Sequence, residues 1–212
     1  MNNFDNHIFN LIEDNLYTEE DYQNYIKKLS HNIAEDIDDR AIIDFDKKTA
    51  ILTTPNYVDN FVYPFVSYFK DYHNKTLPFY SIWTSYDDML DLSFTTETTY
   101  KSDDFENIEN LIVFQPSFVS ISTLKTLLLS SYEEYENCNI YIISPILNKE
   151  IKKNIEDTLN PVFKNKINFI SYQEDSFLFK KDSQTRVKIE KILNQYNEKI
   201  FPEYILNILN DN

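Results

Sequence analysis

The sequence predicts an α/β protein, a mostly parallel sheet with flanking helices, preceded by an N-terminal helical pair and a β-hairpin. Three observations carry the prediction. Residues 110–175 alternate apolar runs with helical patterns in a βαβαβ series, which a parallel sheet with right-handed crossovers accommodates. Residues 111–114, Leu-Ile-Val-Phe, are apolar at every position, as a strand buried on both faces requires. With 212 residues, 42% hydrophobic and 16% aromatic, the chain suits one domain with a substantial core.

The elements follow in order. Residues 4–16 set Phe4, Ile8, Leu11 and Ile12 on one helical face. A second helix is expected from Thr18, its N-cap, with Asp21 three residues on and an apolar stripe of Tyr22, Tyr25, Ile26, Leu29 and Ile33 that ends near Asp38. Residues 41–53 hold two β-rich runs about Asp46-Lys47-Lys48 and read as the hairpin. Thr54-Pro55 then opens a helix whose core face is Val58, Phe61, Val62, Phe65 and Phe69, with a kink expected at Pro64. Tyr57, Tyr63 and Tyr68 lie partly off that face and add aromatic surface beyond one core contact.

Residues 77–84 are the next strand, followed by Asp87, Asp88 and Asp91; residues 95–104, polar and rich in Thr, read as a surface loop. The central strand 111–114 is broken by Pro116 and gives way to a helix marked by Ile121, Leu124 and Leu128. Strand 140–144, a helix from Asn148, strand 166–172 and two closing helices, 183–197 and 202–209, complete the chain. No internal repeat or linker divides it. We expect one domain, with residues 1–40 a helical extension, 41–175 the sheet core and 176–212 the C-terminal helices.

The chain has no glycine, where average usage would give about fifteen. Asparagine is the next residue to accept a left-handed backbone, and Asn15, Asn74, Asn137 and Asn165 stand where breaks are expected. Loops that need glycine to approach a phosphate are excluded, and with them the Walker A and Rossmann fingerprints and the G-x-S-x-G nucleophile elbow.

The net charge of −15 argues against direct nucleic-acid binding, which needs a basic surface. Residues 1–110 carry 22 acids and 8 bases, net −14, and residues 111–212 carry 13 and 12, net −1. The acidic half reads as a solvated face or a docking surface for a basic partner. No apolar run approaches membrane-spanning length and the N-terminus lacks a signal segment, so a soluble cytoplasmic protein is expected. The single Cys138, beside an apolar strand, reads as a small core residue.

The stretch Leu111-Ile-Val-Phe-Gln-Pro-Ser-Phe-Val-Ser-Ile-Ser-Thr-Leu124 resembles the phosphoribosyl-pyrophosphate motif of type I phosphoribosyltransferases, in the form found in uracil phosphoribosyltransferases. In that family an apolar strand meets an acid, then an acid or proline, then a Thr-Gly-Gly-Ser/Thr loop that holds a phosphate at a helix N-terminus. Pro116 and Thr123 match; Gln115 replaces the ribose-binding acid, and Ile121 and Ser122 replace the glycines. The likeness spans residues 105–175 and implies a phosphoribosyltransferase-like, Rossmann-like layering. It also implies a vestigial phosphate site at Gln115, Ser120, Ser122 and Thr123, whose hydroxyls otherwise serve to cap the helix.

Other constellations point to less. His31 and Glu35, one helical turn apart and joined by His7, read as surface residues, and Asp87, Asp88 and Asp91 as a solvated acidic cluster. No metal, cofactor or catalytic residue is assigned. The expectation is a phosphoribosyltransferase-like protein that has lost catalysis and works as an interaction or regulatory subunit with a protein partner or further copies of itself. The alternatives are a divergent enzyme binding a phosphosugar or nucleotide through residues 115–123, and an acidic protein that mimics nucleic-acid charge.

Overall fold

A computed structural model describes residues 19–87, 89, 92–114, 121–130, 132–175 and 201–210. Helix α1 (Glu19–Asp39) precedes strand β1 (Thr49–Thr53), after which a 3-10 turn (Pro55–Tyr57) and a π-helical turn (Val58–Val62) lead into α2 (Tyr63–His73). Then come β2 (Phe79–Asp87), β3 (Leu92–Lys101), β4 (Asn110–Phe114), α3 (Ile121–Ser130), α4 (Tyr132–Tyr135) and β5 (Asn139–Ile143). The order closes with β6 (Ile146–Asn148), α5 (Lys149–Thr158), β7 (Ile167–Ile170), β8 (Gln173–Asp175) and α6 (Glu203–Asn210). The expected helices at 4–16 and 183–197, Asn15, and the Thr18 cap lie outside the described residues.

Among the described residues six strands form one sheet in the order β3-β2-β1-β4-β5-β7; β2 and β3 are antiparallel and the other neighbours parallel. Strands β6 and β8 make a separate parallel pair. This is the mostly parallel, Rossmann-like α/β arrangement that the βαβαβ pattern predicts.

The apolar runs explain the layering, because successive strand residues point to opposite faces. Ile51, Ile112, Phe114 and Ile143 pack with α1, α2 and α6 on one side. Ala50, Leu52, Leu111, Val113, Ile140 and Ile142 pack with α3, α4 and α5 on the other. Each central strand therefore needs apolar residues at both parities. Phe114 anchors the first layer, with ring centroids 4.7 Å from Phe61 and 4.9 Å from Phe65.

The segment after β1 departs from a single kinked helix. Thr54 makes no side-chain cap, the backbone widens into the π turn, and the α-helix begins at Tyr63 with Pro64 in its first turn. Ser30 of α1 donates to the Phe61 carbonyl at 2.5 Å, tying the wide turn to the neighbouring helix.

The expected hairpin at 41–53 does not form. Both neighbours of β1, β2 and β4, pair with it in parallel, so neither side is open to an antiparallel return strand. Residues 41–48 make turns instead: Ala41 adopts a φ of 49°, and Asp44 accepts from the Asp46 N–H at 3.1 Å. Ile43 spends its side chain in the α1/α2 core rather than in a ladder.

The expected loop at 95–104 is also corrected, since its first seven residues belong to β3, the antiparallel partner of β2. Its threonines are β-branched, and their polarity suits a strand at the edge of a sheet. Asn74 and Asn165 do take left-handed backbones, at φ 51° and 59°, as does Asn107, whereas Asn137 does not.

Candidate functional site

The chain runs outward from β1 to β2 and β3, then returns to the opposite side of β1 to build β4, β5 and β7. The winding thus reverses between β1 and β4. In open α/β sheets the crevice beyond the strand ends at such a point is where ligands bind. Here β1 ends at Thr53 and β4 at Phe114.

Gln115, Pro116 and Ser120 lie outside the described residues. Ser122 and Thr123 stand in the first turn of α3, so the two positions that the motif gives to glycine, Ile121 and Ser122, are helical. Their hydroxyls meet β3. The Ser93 N–H donates to Ser122 Oγ at 2.6 Å, Ser93 Oγ and Thr123 Oγ1 share a hydrogen bond of 2.9 Å, and Thr126 Oγ1 donates to the Ser93 carbonyl at 2.7 Å. Three hydroxyls on one helix face thus hold a single strand residue by its N–H, its carbonyl and its side chain. Sequence reasoning missed Ser93 and Thr126, because nothing within a local window pairs residues about thirty positions apart.

Beside this contact lies an open groove of about 530 Å³ between β3 and α3, with Leu92, Phe94, Ile121, Lys125 and Leu129 among its walls. Leu92, Phe94 and Leu129 are each about half exposed.

A second set of polar groups lies around the C-terminal ends of β1 and β5, with Ser81 of β2 paired beside Thr53. Thr53 at the end of β1, Thr54 after it, Ser81 of β2 and Ser144 after β5 are all buried. Thr53 Oγ1 donates to the Thr54 carbonyl at 3.2 Å, while Ser81 Oγ is buried without a hydrogen-bond partner. Nearby, Gln23, Lys27, Asn56, Asp59, Asn60 and Glu203 line a small polar cavity of about 70 Å³ between α1, the turns after β1 and α6.

The remaining candidates are placed as follows. Asp87 accepts from the Met89 N–H at 2.9 Å in the β2–β3 turn, and Asp88 and Asp91 lie outside the described residues. His31 packs edge-on against Tyr68 and Tyr72, and among the described residues no group of three His, Cys, Asp or Glu is arranged to hold a metal. Asp38 instead collects His73 Nε2 at 2.6 Å and the Tyr68 hydroxyl at 3.0 Å, joining the C-terminal ends of α1 and α2. Burial, and then the Asp38 carboxylate, push the Tyr68 phenol up to about 12. Cys138 is buried, donates to the Ile108 carbonyl at 3.0 Å, and is pushed up to about 11 by burial. That environment makes it an inert thiol. Of the basic residues, Lys164 and Lys166 both donate to Asn137, and Lys152 lies over the Phe169 ring.

No family model matches the chain, and no curated protein matches it. Solved structures do. The AQ2163 protein from Aquifex aeolicus matches with a TM-score of 0.60 at 12% identity, over 80% of this chain and 82% of that one. The chain shares that protein's fold. Orotate phosphoribosyltransferase of Francisella tularensis matches with a TM-score of 0.44 at 12% identity, over 84% of this chain and 77% of its own. Hypoxanthine-guanine phosphoribosyltransferase of L. donovani matches with a TM-score of 0.43 at 14% identity, over 74% and 84%. Among the described residues no helix is long and apolar enough to cross a membrane.

Proposed function

We propose that the chain is a phosphoribosyltransferase-like protein that has lost phosphoribosyl transfer and acts as an interaction or regulatory subunit. The observation that carries this reading is the commitment of Ser122, Thr123 and Thr126 to Ser93. A phosphate at the start of α3 would need those hydroxyls, or close backbone approach, and side chains at Ile121 and Ser122 deny the close approach that glycines give. Gln115 in place of an acid also removes a charge that would stabilise a cationic transition state. The half-exposed Tyr63, Leu92, Phe94 and Leu129 support the interaction role, being apolar surface of the kind that partners cover.

A second reading has one observation in its favour. Buried hydroxyls at Thr53, Thr54 and Ser81, with Ser81 Oγ unpaired, provide polar groups around the C-terminal end of β1, where a small phosphosugar or nucleotide would sit.

A thermal-shift titration with phosphoribosyl pyrophosphate and Mg²⁺, ribose 5-phosphate and nucleoside monophosphates separates the two. A ligand at a hundred times its Kd stabilises the fold by about 2.7 kcal/mol, several degrees in a domain of this size. The proposed function expects no saturable shift with any of them. A saturable shift would overturn it in favour of the second reading.

A further inference from the structure

We infer that residues 201–210 form a detachable strap, latched by Asp59, whose opening uncovers one face of β2 and the buried Ser81 hydroxyl while the sheet stays folded. The inference goes beyond the proposed function and does not depend on it.

Helix α6 is held by a polar latch and an aromatic contact. Asp59, in the π turn, accepts from the Glu203 N–H through Oδ2 and from the Tyr204 N–H through Oδ1, both at 2.9 Å. These are N–H groups that a helix start leaves without intrahelical partners, and a carboxylate suits the positive end of the helix. The latch closes a span of 144 residues between Asp59 and Glu203. The aromatic contact stacks Tyr204 on Phe79 with centroids 5.6 Å apart, and sets Phe201 5.2 Å from Trp83.

Further contacts are apolar: Tyr63 lies 4.7 Å from the Tyr204 ring, and Ile208 packs against the core. Ile205 is fully buried, but Leu206 and Leu209 are 44% and 54% exposed. An eight-residue helix does not persist alone in water, so α6 exists because it is docked. Its seam with the body contains the polar cavity of about 70 Å³, so this side of the contact is not close-packed. The strap adds no strand to the sheet.

Ser81 supplies the opposing force. It lies between Phe79 and Trp83 on the same face of β2, within the stretch those strap contacts bracket, and its hydroxyl is buried without a partner. Closure bears that desolvation cost, and opening to water removes it. A short docked helix over an unsatisfied group is the composition of a unit that opens sub-globally.

Trp83 is the chain's single tryptophan and sits under the strap, so its emission reports the opening. In the full chain, native-state hydrogen exchange should release the amides of α6 through an opening much smaller than global unfolding, ahead of β1, β4 and β5. Asp59→Ala should speed that exchange by about tenfold, shift Trp83 emission to the red and increase its quenching by acrylamide, with protection of the central strands unchanged. Wild-type α6 amides that exchange together with the central strands would overturn the inference, and this arm stands even if the variant fails to fold. A folded Asp59→Ala protein with unaltered α6 protection and Trp83 emission would overturn it equally.

Discussion

Thr126 donates its hydroxyl to the carbonyl of Ser93 at 2.7 Å, and one helical turn earlier Ser122 accepts from the N–H of the same residue. Residues i and i+4 of α3 therefore bracket one position of the sheet's edge strand, occupying both of its main-chain polar groups. An edge strand presents a row of such groups, and a chain that leaves them open invites pairing with other chains. The hydroxyl-rich start of α3 acts here as a fastener for the sheet edge.

Removing either bracket should weaken the fold without changing its shape. Ser122→Ala and Thr126→Val are each expected to lower stability by about 1 kcal/mol, the usual net worth of such a hydrogen bond. Because both act on Ser93, the double variant should fall short of the sum. Urea midpoints with an unchanged m-value would report this, and additive losses would show that the two bonds act independently.

The core contact beneath the central strand should be far more costly to remove. Phe114→Ala deletes a fully buried ring that meets both Phe61 and Phe65, and a loss of about 3–5 kcal/mol is expected. Leu129→Ala, on the exposed side of α3, should stay within about 0.5 kcal/mol. Similar losses at both positions would contradict the assignment of the two faces.

The central strands and their helices were legible because their signal is local: unbroken apolar runs at 111–114 and 140–143, each followed by helical spacing. The errors came where a residue's use is set by distant partners. Ile42 and Ile43 read as strand residues, yet Ile43 is taken into the core from a turn, because β2 and β4 occupy both sides of β1. The threonines of β3 read as a loop since only pairing with β2 reveals a polar edge strand. At the site, the hydroxyls at 122 and 123 were visible in the sequence, but their partner was not. The Asp59 latch and the meeting of His73 with Asp38 are likewise products of tertiary packing, with no trace in any short window.

Alkaline pH should destabilise the protein in a defined window. Burial raises the Cys138 thiol from 9.0 to about 11, and raises the Tyr25 and Tyr68 phenols from 10.0 to about 12. In each case the folded state holds its proton more tightly than the unfolded chain. The stabilisation is fully present below the unfolded value and is lost as pH climbs through the folded one. Urea midpoints should hold level towards pH 9 and fall above it, and Cys138→Ala should flatten the decline between pH 9 and 11. An unchanged slope in that variant would rule Cys138 out as a contributor. The same thiol should resist alkylation in the native protein and label freely on unfolding.

The absence of glycine yields the last test. Ala41, Asn74, Asn107, Lys164 and Asn165 all hold positive φ, a conformation that sets an L-residue's Cβ against its own backbone at about 1–2 kcal/mol. Asparagine tolerates the region; alanine has no compensating polar contact, and Ala41 is exposed, so its methyl group gains nothing from packing. Glycine there would remove the steric cost but would also widen the freedom of the unfolded chain, which offsets about 0.5–1 kcal/mol. Ala41→Gly is therefore expected to stabilise the protein by about 0.5–1 kcal/mol, and Asn74→Gly by less, because Asn74 already accepts the left-handed C-cap of α2. Equilibrium unfolding of the two variants beside wild type gives the ranking. A loss of stability in Ala41→Gly would mean that the turn after α1 is not the strained position its backbone angle implies, and that the chain dispenses with glycine there at no cost.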